Sequence, residues 1–164
     1  MSGRSWGNAV KWSIVAVGRI KESFYREAIA EYAGRLKRYR PIELIEVPEE
    51  RLIPGREAQV MRAEAERIRA ACKGSEIIAL TERGAQLTTV NLAQKLESFE
   101  AQALPALAFV LGGPQGLDPE LENEARWKMG LSALTLPYQL ARLVLLEQLY
   151  RCETLRRGEP YHKA

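Results

Sequence analysis

The chain has 164 residues, 46% of them apolar and 27% charged, and a formal net charge of +3. That length suits one domain able to bury a core without metal or disulfide staples, and the composition excludes a disordered or membrane-spanning class. Residues 1–10 read as a polar tail without the apolar block of a secretory signal, and residues 11–164 as a single domain.

Cys72 and Cys152 are the only cysteines. In a chain without a signal-type opening they read as free thiols of a reducing, cytoplasmic compartment. They stand far apart, and the one histidine, His162, lies in the last residues. No metal-ligand spacing results, so no metal is expected.

Residues 12–17 are short, β-branched or apolar and end at Gly18, which predicts a first buried strand. A helix follows, with Ser23 as its expected cap and Tyr25, Ala28, Ile29, Tyr32 and Leu36 on one face until Pro41. In the tyrosine repeat, Tyr25 and Tyr32 are assigned to the core stripe and Tyr39 to the surface. Arg35, Lys37, Arg38 and Arg40 close that helix as a basic run that can meet phosphate.

Residues 42–47 predict a second strand. After a loop over residues 49–56, Met61, Ala65, Ile68 and Cys72 mark a helix face stopped at Gly74. Residues 76–81 predict the third strand, leaving through the polar turn Thr81-Glu82-Arg83-Gly84. Thr88 or Thr89 then caps a helix with Leu92, Leu96, Phe99 and Ala103 inward.

Residues 106–111 predict the fourth strand, which runs straight into Gly112-Gly113-Pro114-Gln115-Gly116. Asp118-Pro119 is a cap and first-turn signal for a short helix through Ala125. A fifth strand is placed over residues 128–134. Pro137 opens the last helix, over residues 139–155, apolar around most of its circumference and therefore expected at a dimer seam.

Strands alternating with helices predict an α/β fold with a parallel sheet, whose ligands sit beyond the carboxyl ends of the strands. The site is thus expected in three loops: the turn after Thr81, the glycine loop after Leu111, and residues 131–137. Glycines at 112 and 113 let backbone approach a ligand, although taken alone the loop reads rather as an ordinary tight turn. Leu131-Ser132-Ala133-Leu134-Thr135-Leu136-Pro137 offers apolar walls and backbone hydrogen bonds of the kind a purine needs, or else is a buried connector.

Gly158-Glu159-Pro160-Tyr161-His162-Lys163 is either a frayed tail or a functional segment. In the second case His162 is an acid or base near neutral pH, Tyr161 a stacking group and Lys163 a phosphate contact. A second basic run, Arg151, Arg156, Arg157 and Lys163, lies nearby. Glu147 and Arg151 form an ordinary i,i+4 pair. Arg142 sits near the positive end of its helix, where a ligand, an RNA phosphate or a partner carboxylate explains it better than the helix dipole does.

Together and in order, these motifs resemble the RlmH family, SPOUT-class enzymes that methylate N3 of a pseudouridine in bacterial 23S ribosomal RNA. The resemblance rests on Val15-Ala16-Val17-Gly18, Leu111 to Leu117, Leu131 to Pro137, Glu147-Gln148-Leu149-Tyr150-Arg151 and Gly158 to Lys163, and covers nearly the whole chain from Ser13. It implies a trefoil-knotted α/β fold, a homodimer, ribosomal RNA or an assembled ribosome as substrate, and S-adenosylmethionine held in the knot. Leu80, Gly112, Gly113, Ser132, Ala133, Leu134, Thr135, Leu136 and Pro137 are the implied cofactor contacts. Tyr161 and His162, with Arg142, are the implied catalytic-side residues, the tail completing a site across the dimer. Two positions depart from the family pattern: Tyr138 stands where histidine is usual after Leu-Pro, and Thr81 where aspartate is expected. The alternative reading is a non-catalytic RNA-binding or ribosome-assembly module on the same fold.

Overall fold

A computed structural model describes residues 9–162. Residues 1–8 of the tail expected at residues 1–10, and the phosphate contact expected of Lys163, lie outside the described residues. Ten elements alternate along the chain: β1 (Lys11–Val17), α1 (Ser23–Leu36), β2 (Ile42–Val47), α2 (Glu57–Ala71), β3 (Glu76–Gln86), α3 (Thr89–Ala101), β4 (Ala106–Leu111), α4 (Pro119–Glu124), β5 (Trp127–Gly130) and α5 (Tyr138–Arg156). The five strands form one sheet in the order β2-β1-β4-β3-β5, with every pairing parallel.

Side-chain alternation along β1 sorts the core into two halves. Trp12, Ile14 and Ala16 join Phe109 and Leu111 of β4 beneath α1, α3 and α5. Val15 and Val17 join Val110 on the opposite face, under Ala65, Ile68 and Cys72 at α2 and Leu121 of α4. A three-layer α/β sandwich results, with β1 and β4 buried on both faces as central parallel strands require. Helix α5 packs on both α1 and α3, and Leu145, Leu146, Leu149 and Cys152 have no exposure. Cys72 and Cys152 are free and buried.

Thr88 and Asp118 cap their helices, accepting from the backbone of Asn91 at 3.1 Å and Leu121 at 3.4 Å. Ser23 does not cap α1. The cap position is Glu22, which makes no side-chain cap bond, so the serine falls inside the first turn. Ala103 lies beyond α3, exposed and at φ 54, and is not part of its inner face. Strand β3 runs on to Gln86 through a register shift between Leu80 and Ala85 against β5, so the expected turn after Thr81 is a bulge within a strand. Strand β5 ends at Gly130, earlier than expected, because the apolar residues that follow it turn toward a cavity instead of continuing the sheet.

The arginines of the second basic run and Arg40 of the first are built into the fold, whereas Lys37 and Arg38 remain exposed. Arg40 is fully buried, its guanidinium 3.6 Å from the centre of the Trp12 ring, and it donates to Glu153 and to the carbonyl of Val10. Val10 itself is buried and belongs to the core, not to a polar tail. Arg151 pairs with Glu147, Arg156 with Glu100 and Glu153, and Arg157 with Glu153. The C-terminal half of α5 covers the end of α1, so arginines that look like a phosphate-binding run face carboxylates instead. Tyr39 is half-buried against the core together with Tyr25 and Tyr32, contrary to its expected exposure.

Candidate active site

The three expected loops enclose a cavity of about 530 Å³ beside the carboxyl ends of β4 and β5 and the bulge of β3. The glycine loop folds back on itself: Gly116 donates its backbone N–H to the Gly113 carbonyl at 2.9 Å. A Cβ at Gly112 would lie 2.5 Å from the carbonyl carbon of Gly116, so any side chain there would force the loop open. A Cβ at Gly113 would come within 3.0 Å of Val17 Cγ1, which places the last residue of β1 directly beneath the loop.

Leu80, Gly112, Gly113, Ser132, Leu134 and Leu136 line the cavity, whereas Ala133, Thr135 and Pro137 are exposed and do not. Residues 131–137 are irregular, with Ser132 Oγ accepting from the backbone of Leu134 at 2.9 Å. Leu134 is 75% exposed, an apolar side chain at the cavity edge with little of its own chain over it. Thr81 lines the cavity, and its hydroxyl accepts from the backbone of Arg83 at 3.3 Å, a local turn bond that an aspartate makes in the same way. Tyr138 lines it too, with Cε2 4.0 Å from where a Cβ on Gly18 would be.

Met61, Glu82, Arg83 and Gln115 are lining residues that sequence reasoning did not single out. Glu82 and Arg83 are its charged members among the described residues. Arg83 pairs with Glu122 of α4, a carboxylate only 4% exposed. Behind the glycine loop, Glu64 is buried, its Oε2 accepting from the backbone of Glu50 at 3.0 Å and its Oε1 without a partner. Burial pushes its carboxyl up, against the opposing bond from Glu50.

Arg142 does not line this cavity. Only 5% exposed, it pairs with Glu46 at 2.6 Å and donates to the carbonyls of Val17 and Gly18 at 3.2 and 3.1 Å. It borders a second cavity of about 280 Å³ between α1 and β2. The first turns of α5 lie against the end of β1, and Glu46, Val17 and Gly18 take up the terminal guanidinium nitrogens that were expected to meet a ligand, an RNA phosphate or a partner carboxylate, while Nε is buried without a partner.

Tyr161 and His162 sit at the other end of α5. The Tyr161 ring packs edge-on against Tyr150 at 4.6 Å, and Arg151 lies 4.7 Å from its centre. From Tyr138 to Tyr150 the helical rise alone covers about 18 Å. The tail of one chain therefore does not close its own cavity. His162 is half-buried, and its Nδ1 has no partner.

The family model described as a predicted SPOUT methyltransferase matches residues 10–162. The chain belongs to the SPOUT methyltransferase family. It is 45% identical over 156 residues to a protein of Acetivibrio thermocellus named ribosomal RNA large subunit methyltransferase H, covering 92% of this chain and 98% of that one. A Ralstonia pickettii protein of the same name is 46% identical over 152 residues, covering 92% and 97%. Among solved SPOUT-like folds, TrmJ from Z. mobilis superposes with a TM-score of 0.55 at 16% identity, covering 94% of this chain and 73% of that one. A probable methylase from Haemophilus influenzae gives 0.54 at 15% identity, covering 98% and 72%. At such identities the likeness concerns the fold alone. Among the described residues no helix is long and apolar enough to cross a membrane, and no cluster of metal-ligating side chains is present.

Proposed function

We propose that this protein transfers the methyl group of S-adenosylmethionine to N3 of a pseudouridine in large-subunit ribosomal RNA, acting in the cytoplasm as a homodimer. The observation that carries the reading is the convergence of the β3 bulge, the glycine loop and residues 131–137 on one cavity. The cavity suits the cofactor: Leu80, Leu131 and Leu136 supply apolar walls for a purine, and the glycine loop offers unobstructed backbone. When bound, S-adenosylmethionine supplies an electrophilic methyl carbon on a sulfonium.

The protein's share is alignment and proton removal. Backbone at 112–113 and 131–137 holds the donor, with the chain passing through the knot that the family resemblance implies. Val17 under Gly113 keeps that loop from sinking, and Arg142 supports Val17 from behind through its carbonyl. The distance between cavity and tail along α5 favours a composite site, in which Tyr161 and His162 of a second copy meet the acceptor base. Exposed Leu134 at the cavity edge fits a surface that a second copy covers. In this reading His162 accepts the N3 proton as the methyl group is transferred.

Mass spectrometry of ribosomal RNA from cells lacking the protein tests substrate and reaction together: one methylated pseudouridine should disappear. Calorimetry with S-adenosylmethionine separates the enzyme from a non-catalytic module, which would not bind at millimolar cofactor. In single-turnover assays His162→Ala should lose most of the rate, and an unchanged rate removes the histidine from the reaction.

A further inference from the structure

The segment after α5 is fastened to α1 and the turn that follows it, far away in the sequence. Tyr39 donates its hydroxyl to Glu159 at 2.6 Å, and the hydroxyls of Tyr32 and Tyr161 lie 3.3 Å apart. Arg157 sits 4.5 Å from the centre of the Tyr39 ring, and the Tyr150 ring lies 6.0 Å from that of Tyr32 and 4.6 Å from that of Tyr161. Under this layer the buried Glu153 receives Arg40, Arg156 and Arg157, so the end of the helix that launches the segment is itself fixed. Burial, and then the bond to Glu159, push the Tyr39 hydroxyl up to about 12, so it remains a donor throughout the physiological range.

We propose that Tyr32 of α1 and Tyr39 in the turn after it are positioning residues for methyl transfer, holding residues 158–162 in the orientation that presents Tyr161 and His162 to the acceptor base in the second subunit's cavity. The proposal rests on the reading above, in which this segment belongs to the acceptor side. Its physical basis is ordering entropy. A chain terminus left free must be ordered each time RNA binds, and that cost falls on the reaction. Here two hydroxyl contacts and a set of ring contacts meet the cost in the free subunit, before RNA arrives.

The test uses the full-length protein with Tyr39→Phe, Tyr32→Phe, Glu159→Leu and Glu159→Gln. Four quantities are read: amide hydrogen exchange of residues 158–162, kcat, KM on large ribosomal subunits from cells lacking the protein, and S-adenosylmethionine affinity by calorimetry. Tyr39→Phe keeps the packed ring and removes only the hydroxyl, so the fold should persist. It should raise exchange in the tail about tenfold and lower kcat about tenfold, with cofactor affinity changed less than twofold. Tyr32→Phe should move the same quantities in the same directions, and Glu159→Leu should reproduce Tyr39→Phe. Glu159→Gln, which still offers Tyr39 an acceptor, should restore most of both losses. Unchanged exchange in Tyr39→Phe and Tyr32→Phe, or raised exchange with unchanged kcat, overturns the positioning role. Full activity in both His162→Ala and Tyr161→Phe instead overturns the reading of the tail as acceptor-side, whatever the exchange data say about its anchoring.

Discussion

Arg40 lies over Trp12, guanidinium carbon to ring centre 3.6 Å, with both residues completely buried and Glu153 receiving the arginine's Nε at 2.9 Å. The stack joins the loop after α1, strand β1 and helix α5 at one point. Removing one partner of a buried ion pair leaves the other charge without compensation, at about 3–5 kcal/mol. Arg156 and Arg157 also reach Glu153 and soften the loss. Arg40→Met should therefore destabilise the protein by about 3 kcal/mol in urea denaturation. A change within half a kcal/mol would mean that the pair does not hold the layers together.

Gly112→Ala tests the cavity. Its Cβ would meet the backbone of Gly116 and Leu117, neither of which can move like the far end of a side chain. The loop must open, so S-adenosylmethionine affinity should fall tenfold or more by calorimetry, while the melting curve drops by the about 1–3 kcal/mol typical of local overpacking.

Arg142→Met keeps the aliphatic stem and deletes the bonds to Val17, Gly18 and Glu46. Glu46 is partly exposed and can be rehydrated, so the expected loss is about 2 kcal/mol, in the range for hydrogen bonds to charged groups. Because Val17 supports Gly113, cofactor affinity should weaken as well, although Arg142 does not touch the cavity. Normal affinity in a destabilised variant would confine the residue to stability alone.

Glu64 gives a prediction with a sign. Its carboxyl is raised by burial, with Glu49 adding to the shift and the Glu50 backbone and Arg67 opposing it. A raised carboxyl favours folding while it is protonated, so that contribution is full below the unfolded value of about 4.3 and disappears as pH climbs through the folded value. Glu64→Gln keeps an acceptor for Glu50 and carries no charge. It should stabilise the protein at pH 7 by on the order of 1 kcal/mol, and lose that advantage at pH 4. Equal effects at the two pH values would show that ionisation of Glu64 is not what the fold resists.

Strands β2 and β4 were legible to the residue, because β2 lies between Pro41 and Pro48 and β4 is an apolar run between Pro105 and Gly112. So were the three loops of the site, since a parallel sheet presents them together wherever its strands end. The residues 131–136 were harder. An apolar run gives the same local signal whether it continues a strand or lines a cavity, and only the turn after Gly130 decides. Arginine runs mislead for a related reason: charge is visible in one dimension, while Glu100 and Glu153, which answer Arg40, and Glu100 again at Arg156, lie more than fifty residues from those arginines. Arg83 escaped notice because its importance depends on the β3 bulge and on Glu122, neither of which has a local signature.

Helix α5 begins at the donor cavity and ends at the anchored tail, with its middle locked between α1 and α3. It thereby acts as a ruler. One inserted residue would lengthen it by about 1.5 Å and turn everything beyond by about 100°. The fold should tolerate length variation in the loop after β2 far more readily than in this helix, whose count of residues sets the span between the cavity and the tail.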